Sequence, residues 1–278
     1  MTKKLADARR YYVEQIKARA QVTSPRILKA YRDIPRELFL GEGPWRIRSD
    51  VVSAYGSTGS ADPADIYHDV LVALDEHRNL DNGLPSLWAL LFEALDLQTG
   101  ENIVQIGCGT GYYTAILAEI VGQTGHVTAI DSDSGFAELA EKLLGDHDNV
   151  QVIHGDGCQL PFESVDAIIV HAGVSHPHAA WLDALAMGGR LQLTLTSAGR
   201  QGIVFQITRK PLGFEAKALR RIEIFPCEEG DKKTGASLRL SFWNPITSGI
   251  KSLRRDQHEE DETCWAHADN FCLSRQVL

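Results

Sequence analysis

Gly107, Gly109 and Gly111 stand at every second position behind the apolar run NIVQI, in NIVQIGCGTGYYTA, and open a helix-like stretch. A strand that turns at once into a helix brings backbone N–H groups close to a ligand. Glycine takes positive φ there with no Cβ in the way. Such a turn suits a nucleoside-bearing ligand. The dinucleotide pattern G-x-G-x-x-G would need its third glycine at position 112, which is Tyr112. The triphosphate loop G-x-x-x-x-G-K-[ST] is absent, because no lysine follows. Nicotinamide dinucleotides and ATP hydrolysis are both disfavoured.

Two carboxylates lie downstream of the glycines. HVTAID ends in Asp131, 24 positions after Gly107 (131 − 107), near the roughly 20 at which a strand-tip carboxylate meets ribose hydroxyls. HGDG places Asp156 to accept from an adenine amino group, with Gly157 leaving room for the ring. Ligands of open α/β sheets sit outside the carboxyl ends of the strands, so Gly107, Asp131 and Asp156 are expected at one crevice. Cys108 reads as a small filler residue, and one of Tyr112 and Tyr113 as core.

The elements that must position these residues alternate. Strand-like runs NIVQI, HVTAI, VQVI, DAIIV and RLQLTL are separated by helical stretches near Tyr112 to Val121, Phe136 to Leu144 and His178 to Ala186. That is the pattern of βαβ units on a parallel sheet. GIVFQITRK and AKALRRIEIF read as a terminal antiparallel pair. Upstream, Leu5, Ala8, Tyr12 and Ile16 share a helical face, Ser24-Pro25 opens a second helix, and Leu84, Trp88, Leu91, Phe92 and Leu95 define a third. VVSAYGSTGSADP, from Val51 to Pro63, favours turns and exposed loop over any periodic element. Periodicity is lost from Gly230 onward, where the chain carries RRDQHEEDE. The expected organisation is an N-terminal helical segment and loop over 1–83, a core over 84–229 and a tail or small subdomain over 230–278.

Composition narrows the class further. With 278 residues, 44% hydrophobic, and 28 Lys and Arg against 37 Asp and Glu, the chain is globular and carries a formal charge of −9. That charge repels a phosphate backbone. The one local basic group, Arg209, Lys210, Lys217, Arg220 and Arg221, is interrupted by Glu215 and Glu223. There is no apolar leader and no membrane-length apolar run, so a soluble cytoplasmic protein is expected. Five cysteines without a secretion signal imply reduced thiols.

IPRELF, IYHD, VQIGCGTGYYTAILAEIVG, HVTAID, VIHGDG, VDAIIVHAG and LAMGGRLQL together resemble the class I S-adenosylmethionine-dependent methyltransferases, and within them the protein-L-isoaspartate O-methyltransferase family. The resemblance runs from about residue 30 to 227. It implies a doubly wound, mostly parallel seven-stranded Rossmann-like methyltransferase sheet with N-terminal helices and a C-terminal appendage. The implied cofactor is S-adenosylmethionine, met by Gly107, Cys108, Gly109, Gly111, Tyr112, Asp131, Ser132, Asp156 and Gly157. The acceptor would be a peptide, protein or small molecule.

One segment departs from that family. Ahead of the helix preceding the first core strand, the family has a Thr-Ile-Ser-like stretch whose hydroxyl lies beside the transferred methyl. Aligned on Pro85, this chain has Asp81, Asn82 and Gly83 there. An altered acceptor or weak repair activity follows from the resemblance. Asn-Gly is also a strong turn dipeptide, so the stretch reads equally well as a helix-entry turn. A carboxylate acceptor needs no base, whereas an amine or hydroxyl would want one, the candidates being Asp81, His171 and His68. The other classes are a cofactor-binding protein without catalysis and an RNA-modifying methyltransferase.

In the tail, Cys264, His267 and Cys272, with Cys227 earlier, are potential soft-metal ligands, but their spacing matches no standard zinc pattern. CWAHADNFC is read instead as a segment laying Trp265 and Phe271 on the main domain, with a closing lid as a third reading, and no metal ligand is assigned.

Overall fold

The computed structural model describes residues 2–49, 54–159, 164–196, 201–225, 249–268 and 270–278. The chain divides into two compact units that interleave in sequence: Met1–Gly100 with Cys108–Ala129 and Asp133–Ile153, and Glu101–Gly107 with Ile130–Ser132 and His154–Leu278. The 229/230 boundary of the sequence reading lies outside the described residues.

In the first unit, α1 (Lys3–Ala20) starts at Thr2, whose hydroxyl accepts the Leu5 N–H at 3.3 Å, and it buries Tyr12, Val13, Ile16 and Ala20. The Ser24-Pro25 signal opens α2 (Pro25–Asp33). Around them stand α3 (Pro85–Leu95), α4 (Tyr112–Val121) and α5 (Ser134–Leu143). Asp133 caps α5 by accepting the Phe136 N–H at 3.0 Å. A small antiparallel sheet has the order β2-β1-β3-β4, with β1 Arg46–Arg48, β2 Gly56–Ser57, β3 Leu71–Asp75 and β4 Leu80–Asp81. The turn-rich stretch from Val51 to Pro63 is thus not all loop. Gly56 and Ser57 pair with β1, because backbone pairing in so short a strand asks little of side-chain periodicity.

The second unit is built on a sheet ordered β13-β14-β12-β11-β10-β9-β8-β5-β6-β7. Its strands are β5 (Asn102–Ile106), β8 (Val165–Val174), β9 (Leu185–Thr196), β10 (Gln201–Lys210), β11 (Gly213–Glu223), β12 (Ser252–Arg254), β13 (Cys264–Ala268) and β14 (Phe271–Ser274). It also holds the last residues of β6 (His126–Asp131) and of β7 (Val150–His154), with helix α6 at Ala179–Ala184. β8 pairs parallel with β5 and β9, while β9, β10 and β11 form an antiparallel run. Ala167, Ile168 and Ile169 of β8 are wholly buried, as a strand covered on both faces requires. The fold is α/β and doubly wound about a parallel centre, with β5–β11 as the seven expected strands. The described residues of the C-terminal appendage add β12, β14 and β13 to the β11 edge, beginning at the pair Phe214↔Leu253. Strands of three to five residues leave too little alternation to be read in sequence.

Candidate cofactor and acceptor site

Strand order reverses between β5 and β8, and an open α/β sheet leaves its ligand crevice outside such a point. The strand tips there are tied together by backbone. The Gly107 N–H donates to the Ile130 carbonyl at 2.8 Å, and the Gly155 N–H to the Asp131 carbonyl at 2.9 Å. Gly107 has φ +81°, a conformation costly for any residue with a Cβ, although an added Cβ would come no closer than 3.5 Å to His171. Strain, not crowding, requires glycine here.

β8 outruns its neighbour. Ile106 ends the β5 pairing opposite Val170, and the β8–β9 register slips between Ile169↔Gln192 and Gly173↔Thr194. The extra residues bulge, and bulges commonly re-aim side chains beside sites. His171 lies in that overhang against Gly107, its Nε2 3.5 Å from Gln105 Nε2. Burial pushes its imidazole pKa down to about 3, so the ring is neutral at physiological pH.

Asp131 is 9% exposed at the tip of β6. Asp156 is already engaged: Oδ1 accepts the Cys158 N–H at 2.8 Å and Oδ2 the Gln159 amide at 2.5 Å. A carboxylate offers about four lone-pair directions, so acceptor capacity remains. At Gly157 a Cβ would stand 2.7 Å from Ile106 Cγ2, so packing on β5 requires glycine there. Its carbonyl accepts the indole N–H of Trp181 at 2.8 Å. Ser132 is exposed, and its carbonyl lies 3.2 Å from His154 Nε2.

In the first unit, Gly109 (φ +55°) leads to Gly111, the N-cap of α4. A Cβ on Gly111 would meet Leu144 Cδ1 at 2.8 Å, so this glycine lets the start of α4 pack on the end of α5. Cys108 is 6% exposed, as a filler residue should be. Both tyrosines are buried, and Tyr112 is a core residue. Its hydroxyl lies 3.0 Å from that of Tyr12, its ring packs against Tyr31 and Phe39, and burial raises its phenol to about 12. The side chain serves the aromatic core, which hydrophobic burial of a large ring favours over a wet crevice. Tyr113 instead donates to the Gly83 carbonyl at 3.0 Å.

That hydrogen bond pins the segment Asp81-Asn82-Gly83 to the first turn of α4. Asp81, with 5% of its side chain exposed, accepts from Tyr55 at 3.0 Å, from Arg48 at 3.3 Å and from the Gly83 N–H at 3.0 Å. Asn82 bridges to β3 in both directions: its N–H donates to the Val72 carbonyl at 3.0 Å and its Oδ1 accepts the Val72 N–H at 2.9 Å. Its buried Nδ2 finds no hydrogen-bond partner among the described residues. The following helix α3 begins without a side-chain cap of its own, and Asp69 supplies one by accepting the Ser86 N–H at 2.8 Å. Sequence reasoning missed Arg48, ahead of the turn-rich stretch, and Tyr55, within it, since neither carries a motif. His68 is exposed, its ring against Tyr11. Of the local basic group, Arg209 donates to the Asp183 and Leu185 carbonyls and Lys210 pairs with Glu215 at 3.2 Å. Among the described residues no helix is long and apolar enough to cross a membrane.

Bare backbone at a left-handed strand exit, a buried carboxylate at the next strand tip and a second carboxylate one strand further fit a nucleoside-bearing methyl donor. The fold is that of an S-adenosylmethionine-dependent methyltransferase. Residues 8–228 match the family model for protein-L-isoaspartate(D-aspartate) O-methyltransferase, and the chain belongs to that family. It is 34% identical over 208 residues to protein-L-isoaspartate O-methyltransferase 1 of Rhodopseudomonas palustris, covering 73% of this chain and 75% of that one. To the Ignicoccus hospitalis protein-L-isoaspartate O-methyltransferase it is 26% identical, over 81% of this chain and 99% of that one. A Plasmodium falciparum structure, described as a candidate protein-L-isoaspartate O-methyltransferase in complex with S-adenosyl-L-homocysteine, shares the fold. Its TM-score is 0.63 at 17% identity, covering 80% of this chain and 99% of that one.

Proposed function

We propose that this methyltransferase esterifies a carboxylate of a peptide or protein, selected differently from the isoaspartyl carboxylate of its relatives. The cofactor supplies an electrophilic methyl on a sulfonium. What remains for the chain is to hold the acceptor in line and to exclude competing nucleophiles. Gly107 would present backbone to the cofactor, with Asp131 at the ribose and Asp156 at the base.

The observation that carries the acceptor reading is the state of the candidate bases. His171 is a poor proton acceptor near neutrality, because its protonated form is disfavoured down to about pH 3. Asp81 is held by Arg48, Tyr55 and the Gly83 amide, and His68 stands on the surface. An amine or hydroxyl acceptor would lack help from all three. A carboxylate needs none, since its oxygen is already a nucleophile. The Nδ2 of Asn82 is a fixed, buried donor suited to a carboxylate oxygen, in the segment where the family carries a hydroxyl.

The test is methyl transfer from labelled S-adenosylmethionine to matched isoaspartyl and aspartyl peptides, followed by mild base. The expected product is a base-labile ester that releases methanol, with a ratio of the two peptides unlike that of an isoaspartyl-repair relative. A base-stable methyl would refute carboxylate chemistry. An isoaspartyl preference matching the relative's would refute the altered selection.

A further inference from the structure

The C-terminal hairpin gathers four ligand atoms that the family match, ending at residue 228, does not include. One donor atom each from His258, Cys264, His267 and Cys272 lies within 4.8 Å of every other. We propose that these four residues form a structural zinc site that closes the C-terminal segment.

In sequence the spacing of Cys264, His267 and Cys272 matches no standard zinc pattern, and residues 264 and 267 are an odd number of positions apart. On a regular strand they face opposite ways. The β13–β14 register runs Ala268↔Phe271, His267↔Cys272, Ala266↔Leu273 and then slips to Cys264↔Ser274. Trp265 is the extra residue. The bulge turns Cys264 to the face of His267, and Cys272 is directly opposite His267 on that face. The same bulge carries Trp265 to Phe205, at 5.7 Å between rings, so aromatic anchoring and ligand gathering come from one irregularity.

The distances suit a tetrahedral ion. Bonds of about 2.3 Å to sulfur and about 2.0–2.1 Å to nitrogen give S···N edges of roughly 3.5–3.6 Å. Cys264 Sγ lies 3.5 Å from His258 Nε2 and 3.8 Å from His267 Nδ1. The outer contacts hold the donors in place. His258 Nδ1 donates to the Asp256 carbonyl at 2.9 Å, leaving the Nε2 lone pair toward the cluster, and the Asp261 N–H donates to Cys264 Sγ at 3.4 Å. Arg254, the register partner of Cys272, ties Asp256 at 2.8 Å and Asp261 at 3.6 Å. Two thiolates and two neutral imidazoles select a borderline-soft divalent ion, and four protein donors leave no position open for catalysis. Binding replaces two S–H protons by two Zn–S bonds and releases both protons, giving a neutral centre. Cys227, the earlier candidate, lies outside the described residues, and His258 stands in its place.

The test uses the full chain purified under reducing conditions without chelator. Elemental analysis should find about one zinc per chain, and cobalt replacement should give a thiolate charge-transfer band with the strong visible absorption of a tetrahedral centre. Cys264→Ser and Cys272→Ser should each abolish both signals, and Cys158→Ser should leave them unchanged. Because a cysteine variant can lose the hairpin itself, the metal-stripped wild-type chain is also titrated with zinc against a chromophoric chelator, with two protons expected per ion. No zinc in the native chain and none taken up on titration would overturn the proposal. So would metal retained in the double cysteine variant, or a Cys264–Cys272 disulfide in place of metal.

Discussion

Asn82 Oδ1 accepts the Val72 N–H at 2.9 Å while the Asn82 N–H donates to the Val72 carbonyl at 3.0 Å, so one residue closes a strand-like ring on β3 with its own side chain. The bridge fixes which end of the amide is which, and it leaves Nδ2 as the donor that faces elsewhere.

Asn82→Asp and Asn82→Ala separate these two jobs. The aspartate keeps an oxygen for Val72 and loses the donor, so kcat/KM for a carboxylate acceptor should fall about 10- to 100-fold, the worth of a hydrogen bond to a charged group. Its melting temperature should fall as well, because a carboxylate at a 9% exposed position next to Asp81 is costly to ionise. The alanine should lose activity and, in addition, about 1–2 kcal/mol of stability as the buried Val72 N–H loses its partner. Initial rates and thermal unfolding on both variants decide it. Equal kinetics for Asn82→Asp and wild type would leave Nδ2 without a role in acceptor binding.

Asp131→Ala should weaken S-adenosylmethionine and S-adenosylhomocysteine alike, by about 10- to 100-fold, since hydrogen bonds to an ionised carboxylate contribute about 1.5–3 kcal/mol. Calorimetric titration of the variant reads this directly. Undiminished affinity would remove Asp131 from the cofactor site.

Gly157→Ala should cost about 1–3 kcal/mol, the usual penalty of overpacking, because the new Cβ meets Ile106 Cγ2 at 2.7 Å. In an Ile106→Ala background the same substitution should cost much less. Chemical denaturation of the four chains measures the coupling, and strict additivity would mean the glycine serves something other than packing on β5.

The depressed pKa of His171 links stability to pH. The unfolded imidazole binds a proton below about 6.5, whereas the folded one does so only near 3. Its contribution is therefore complete above about pH 6.5 and is lost as pH falls toward 3, at up to about 1.4 kcal/mol per unit. His171→Asn should flatten the stability profile over that window. If the neutral ring is not a base, the variant should also keep the pH dependence of methyl transfer between pH 6 and 8. A break near 6.5 that vanishes in the variant would assign His171 to proton transfer.

The glycine loop, Asp131 and the alternation of strands and helices were legible in sequence because each rests on a local rule. A left-handed strand exit selects glycine, a strand tip lies at the end of an apolar run, and periodicity follows from burial of one face or both. The same rules place α1–α5 and β5–β11 close to where they stand. Tertiary structure decided the rest, and the physical reason is register. The β5–β8 pairing ends at Val170 and so leaves His171 beyond the end of β5, and the one-residue slip at Trp265 brings Cys264 onto the face of His267 and Cys272. A one-residue shift reverses every side chain that follows, yet it depends on the partner strand and leaves no mark in the residues themselves. Packing is equally silent in sequence. Gly157 faces Ile106, Tyr112 faces Tyr12, and Asp81 meets Arg48 and Tyr55 only because the folded chain puts those distant residues within reach.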